Sequence, residues 1–127
     1  MQKNTKKAVF SEQLPPPLAP YSHAVIANGF VFVSGQLGLD SAKILAEGIE
    51  AQSELALSNV ARILAEAGTS MQNVVKVTVL LSDINDFEVV NGIYSRHFPD
   101  PKPARAAYAV AALPMGAKVE IEAIAII

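Results

Sequence analysis

The chain has no cysteine and no tryptophan among its 127 residues. Without cysteine there is no disulfide frame, no thiol nucleophile and no cysteine-based zinc or iron–sulfur site. Aromatic residues make up only 6% of the chain, so platforms for stacking nucleic-acid bases are scarce. An excess of one charge is missing too. Ten basic and 12 acidic side chains leave a formal net charge of -2, and nothing there points to a polyanion as partner. No apolar run approaches the roughly 18 residues of a membrane span. The polar, basic segment from Met1 to Lys7 is not followed by the apolar stretch of a secretion signal. These absences set the expectation of a cytoplasmic protein with neither a membrane nor a nucleic-acid partner. The length predicts one domain over residues 1–127.

Charge is scarce as well as balanced. Only 17% of residues are charged while 51% are hydrophobic, against about 25% charged in a typical soluble domain. A small domain needs polar residues to cover its large relative surface. Twenty of the apolar residues are alanine, which tolerates exposure. Two readings stand: an alanine-rich monomer, or an obligate oligomer burying apolar surface on copies of itself.

Pro15-Pro16-Pro17, with Pro20 behind, forces an extended segment that runs over the surface and delivers Tyr21. Asn28-Gly29 between Ala24–Ala27 and Phe30–Ser34 predicts a tight hairpin. Residues 37–46 read as a turn or second hairpin. From Ile49 the apolar positions recur at helical spacing for about 18 residues, and Gly68 is the expected C-cap. Val74–Leu81 reads as a central strand buried on both faces. Asn85 and Glu88 resemble a capping box opening a second helix, with Phe87, Val90, Tyr94 and Phe98 inward and Pro99 as its stop. Ala106–Val110 and Lys118–Ile127 complete the strands. In the last strand, Val119, Ile121, Ala123 and Ala125 share one face, expected under the helices. Glu120, Glu122, Ile124 and Ile126 share the other. A solvent face seldom ends in two isoleucines, so this face is expected to meet another subunit. The order predicts an α+β fold, a single mixed β-sheet with two helices on one face.

Phosphate-binding glycine loops and nucleophile elbows are absent. His23 and His97 are the only histidines and sit in different elements without metal-site spacing, so no metal is expected. Four features remain. Arg105 lies among alanines, where a charged fork needs a partner; a structural salt bridge to Glu120 or Glu122 and a bound anion both satisfy it. Glu120 and Glu122 point the same way on an apolar strand, and either forms a salt bridge or one serves as general acid or base. Ser34-Gly35-Gln36 ends a strand either as an ordinary bulge or where backbone approaches a ligand. Tyr21 and Asn91 are polar groups in apolar contexts, for which an internal hydrogen bond is the commoner reason.

At these residues the sequence resembles the reactive intermediate deaminase family, the small enamine/imine deaminases also named translation inhibitors or L-PSP endoribonucleases. The matching segments include Ala19-Pro20-Tyr21-Ser22, Val33-Ser34-Gly35-Gln36 and Thr78 through Phe87. They continue with Val90-Asn91, Tyr94, Pro103-Ala104-Arg105-Ala106-Ala107-Tyr108 and Glu120-Ile121-Glu122-Ala123. The resemblance runs from about residue 15 to the end. It implies a chorismate-mutase-like fold, a homotrimer whose sheets form a central β-barrel, and three clefts between subunits. It implies hydrolysis of 2-aminoacrylate and 2-iminobutanoate to 2-oxo acids and ammonia, without cofactor or metal. By position, Arg105 would bind the substrate carboxylate, helped by backbone near Ala107. Glu120 would activate water or shuttle its proton, and Tyr21, Ser34, Gly35 and Asn91 would line the cleft. His23 departs from the family, where glutamine is common, and Ala19 departs from glycine. The alternative readings are a single-strand endoribonuclease that inhibits translation, and a non-catalytic chaperone-like or ligand-sensing trimer.

Overall fold

A computed structural model describes residues 5–127; the first part of the basic N-terminal segment, residues 1–4, lies outside the described residues. Six strands form one mixed sheet: β1 (Lys7–Val9), β2 (Ala24–Ala27), β3 (Phe30–Gln36), β4 (Val74–Leu81), β5 (Ala104–Ala109) and β6 (Val119–Ile126). Their order across the sheet is β1-β2-β3-β6-β4-β5. Two helices, α1 (Gly48–Ala67) and α2 (Phe87–His97), cover one face.

The Asn28-Gly29 turn forms as expected, with φ of 51° and 80° at the two residues, and β2 and β3 pair antiparallel around it. α1 ends at Gly68 (φ 91°), whose N–H bonds back to Ala65. Only β4 and β5 run parallel, and α2 supplies the crossover that a parallel pair requires. β6 alternates as the sequence predicts. Val119, Ile121, Ala123 and Ala125 are buried against the helices, in one cluster with Leu57, Val60, Ile63 and Leu64. Each fully buried leucine or isoleucine there contributes about 1.5–3 kcal/mol. The Leu37–Ala46 segment is hairpin-like: Leu39 bridges Leu45, and the Asp40 carboxylate accepts from the N–H groups of Ala42 and Ile44.

Four local expectations change. The three-residue edge strand β1 was not foreseen, being too short to show a period. No capping box forms at Asn85; instead the Asp83 carboxylate accepts from the Asn85 N–H at 2.9 Å and starts a short 3-10 turn that runs into α2. β5 begins at Ala104 rather than Ala106, which places Arg105 inside the strand, paired across from Val77. β4 is central, but only Val74, Val77, Val79 and Leu81 are buried in the core under the helices; Lys76, Thr78 and Leu80 face the open side. On that open side Phe30 pairs with Ile126 and Phe32 with Ile124, so the uncovered face is apolar at this end of β3 and β6.

Candidate active site

A cavity of about 570 Å³ lies beside the bulge that interrupts the β3–β6 register between Val33 and Gln36. A volume of that order falls in the range of small-ligand sites. One wall is polar: Ser34, Gly35, Glu120 and Glu122. The other is apolar, made by Leu14, the three prolines, Leu18, Leu37, Leu39 and Pro114. Tyr21 stands at the rim, 41% exposed, its hydroxyl accepting from the Leu18 N–H at 3.3 Å.

The bulge explains why glycine is at 35. The Glu120 carboxylate lies directly over its Cα; a Cβ there would come within 2.8 Å of the Glu120 Cδ. Ser34 donates its hydroxyl to the Ser22 carbonyl at 2.7 Å, and its N–H donates to the His23 carbonyl at 3.0 Å. These bonds stitch the bulge to the segment carrying Tyr21. Burial pushes the Glu120 carboxyl above the usual carboxylate range, and the neighbouring charge of Glu122 pushes it the same way.

Arg105 and Ala107 stand apart from this cavity. On the β4 frame Arg105 is level with Val77 and Glu120 is level with Leu80. Val77 faces the helices and Leu80 the open side, so the two side chains leave opposite faces of the sheet. They are also separated by three register positions and two strand spacings, roughly 10 Å in each direction. Within one chain they do not converge. The guanidinium of Arg105 instead stacks over the rings of Tyr94 at 4.7 Å and Phe87 at 5.6 Å, both from α2. The ion pairs among the described residues lie elsewhere: Arg96 and His97 on Glu54, and Lys102 on Asp100. The structural salt bridge from Arg105 to Glu120 or Glu122 is therefore not made within the chain. Asn91 is half-buried on the same helix as Tyr94. Ala107 lies on the edge strand β5, which pairs on one side only and leaves outward backbone groups free.

Two features escaped the sequence reading. The proline segment is a cavity wall, with Leu14 and Pro15 buried, rather than a spacer over the surface. Tyr94 is a platform for Arg105, and its hydroxyl is buried with no partner. That hydroxyl's acidity is lowered, its pKa being raised by burial and pulled back in part by the Arg105 charge. The inward position of Tyr94 was legible; its neighbour across the sheet was not. Among the described residues, no three histidine or acidic side chains gather where they would hold a metal ion. No helix there is long and apolar enough to cross a membrane.

The family model for endoribonuclease L-PSP matches residues 11–127. The chain is 46% identical over 128 residues to a bovine protein named 2-iminobutanoate/2-iminopropanoate deaminase, covering 99% of this chain and 93% of that one. It is 48% identical to the chloroplastic Reactive Intermediate Deaminase A of Arabidopsis thaliana, over 94% of this chain but 65% of that longer protein. Among solved structures, that of RidA from a Psychrobacter bacterium superposes with a TM-score of 0.93 at 42% identity, covering 95% of this chain and 99% of that one. The chain thus belongs to the reactive intermediate deaminase, or L-PSP endoribonuclease, family.

Proposed function

We propose that the protein hydrolyses small reactive 2-imino and 2-enamino acids, 2-aminoacrylate and 2-iminobutanoate among them, to 2-oxo acids and ammonia. The observation that carries this reading is the Arg105 guanidinium, half-buried on aromatic rings with no carboxylate partner in its own chain. A planar cation so placed suits bidentate binding of a substrate carboxylate. The relatives named as imine deaminases support the same class of reaction.

The chemistry asks little. An imine carbon is already electrophilic, so a positioned water and a proton acceptor suffice. Glu120 takes a proton from the water as its oxygen bonds to the imine carbon and passes it to the nitrogen, giving a carbinolamine. It then takes the hydroxyl proton as the C=O bond forms and passes that to the nitrogen, and the C–N bond breaks to release ammonia. Its pKa, raised by burial and by Glu122, makes it a stronger base than an ordinary carboxylate. Since Arg105 and Glu120 cannot meet within one chain, the working site forms between copies. The apolar open face of Phe30, Phe32, Ile124 and Ile126 is the surface on which those copies assemble, as a homotrimer with a sheet-lined core. Tyr21, Ser34 and Gly35 then line the cleft from one subunit, and Asn91, Arg105 and the backbone near Ala107 from the next.

The test couples the protein to a threonine dehydratase and follows ammonia release. Wild type accelerates it, and Arg105→Ala loses about 100-fold or more while keeping its fold. Undiminished activity in Arg105→Ala overturns the assignment.

A further inference from the structure

His23 has no part in the chemistry above, yet it is buried to 4% exposure at the cavity wall and both of its ring nitrogens are engaged. Nδ1 accepts from the Ser11 N–H at 2.9 Å. An acceptor nitrogen carries no proton, so the proton sits on Nε2, which donates to the Pro15 carbonyl at 2.9 Å. The ring thus clamps the Ser11–Pro17 strap at two points four residues apart, and the Phe10 ring packs beside it at 5.7 Å.

The strap needs such a clamp. Pro15, Pro16 and Pro17 have no N–H and cannot be knitted into a sheet. Its internal backbone bond from the Leu14 N–H to the Ser11 carbonyl is long at 3.3 Å. Its side chains nevertheless supply apolar lining: Leu14 and the three prolines line the same cavity as Glu120. With reacting groups at the polar end, a substrate's side chain meets this wall.

We propose that His23 is a specificity-determining positioning residue, which fixes the proline strap as the floor for the side chain of the imino acid. The proposal rests on the deaminase reading. The two ring nitrogens act as one acceptor and one donor, a pairing that a glutamine amide also offers and alanine does not.

The experiment generates the imines of alanine and leucine in turn with an L-amino-acid oxidase and measures their hydrolysis in competition with semicarbazide. His23→Ala is expected to lower the selectivity for the leucine imine over the alanine imine about tenfold, mainly through KM for the larger one. His23→Gln is expected to stay within about twofold of wild type. Truncating the wall directly, by Leu14→Ala, should reproduce the loss of selectivity even where His23→Ala fails to fold. The Ser11 amide should exchange slowly in wild type and His23→Gln and fast in His23→Ala. Equal losses on both imines, a glutamine variant no better than alanine, or unchanged selectivity in Leu14→Ala would each overturn the proposal. If wild type hydrolyses neither imine, the deaminase reading itself falls, and slow Ser11 exchange then reports only a structural clamp.

Discussion

The surroundings of Glu120 and of Arg105 differ in how far one chain completes them. Around Glu120 the chain closes a cavity: a bulge seats the carboxylate over Gly35, and Ser34 ties that bulge to the Tyr21 segment. Around Arg105 the chain supplies a platform and stops. The guanidinium rests on Tyr94 and Phe87 and makes no ion pair among the described residues, and the adjacent Tyr94 hydroxyl is buried without a partner among them. A half-buried unpaired cation and an orphaned hydroxyl are costly to leave so. The first region is a container and the second an unfinished half, on the other face of the sheet. That difference is the ground for proposing that a second copy completes the chemistry as well as covering apolar surface.

The sharpest way to break the comparison is complementation. Arg105→Ala and Glu120→Gln should each be nearly inactive. If the two groups meet only between subunits, mixed trimers isolated with two tags recover activity in about one third of their clefts, one per trimer. If each chain held its own complete site, every chain in the mixture would lack one group and nothing would be regained. A flat result in verified mixed trimers refutes the split.

A smaller effect is expected at Gly35. In Gly35→Ala the new methyl occupies the place of the Glu120 carboxylate, and backbone on both sides of the bulge cannot retreat without breaking the Ser34 bonds. A misplacement of about 1 Å costs on the order of 100-fold in rate. The loss should fall on kcat, with KM nearly kept because the Arg105 half is untouched. Full activity in this variant would mean that the carboxylate need not sit where the bulge holds it.

The sequence showed the container less clearly than the platform's chemistry. Periodicity made α1, the Gly68 cap and the alternation of β6 legible, because a repeated pattern over many residues reports a buried face directly. Arg105 and Glu120 stood out because charge among alanines and isoleucines is conspicuous. The proline segment looked like a spacer, since prolines announce only what they cannot do; that Leu14 and Pro15 turn inward depends on the distant His23 ring. Asp83 displaced Asn85 as the cap for a similar reason. Two capping residues two positions apart compete, and the start of the turn decides between them. The separation of Arg105 from Glu120 required register, which a single strand's sequence does not carry.

The gentlest probe concerns the charge beside the Glu120 carboxylate. Burial is the main cause of Glu120's raised pKa and Glu122 the second. With Glu120 acting as a base, the acid limb of kcat/KM follows its ionisation in the free enzyme. Glu122→Gln removes a like charge, so that limb should move to lower pH while remaining above the position of an ordinary carboxylate, because burial stays. The plateau rate should hardly change. Stability should follow the same sign. A carboxyl whose folded pKa is raised is favourable to the fold while protonated, so its contribution is lost as pH rises from the unfolded pKa through the folded one. Thermal midpoints of wild type should therefore fall below those of Glu120→Gln across that window and converge beneath it, with Glu122→Gln narrowing the gap. An acid limb that stays fixed in Glu122→Gln would show that the two carboxylates do not sense each other, and that the cavity's polar wall is more open to water than the enclosed half of the site requires.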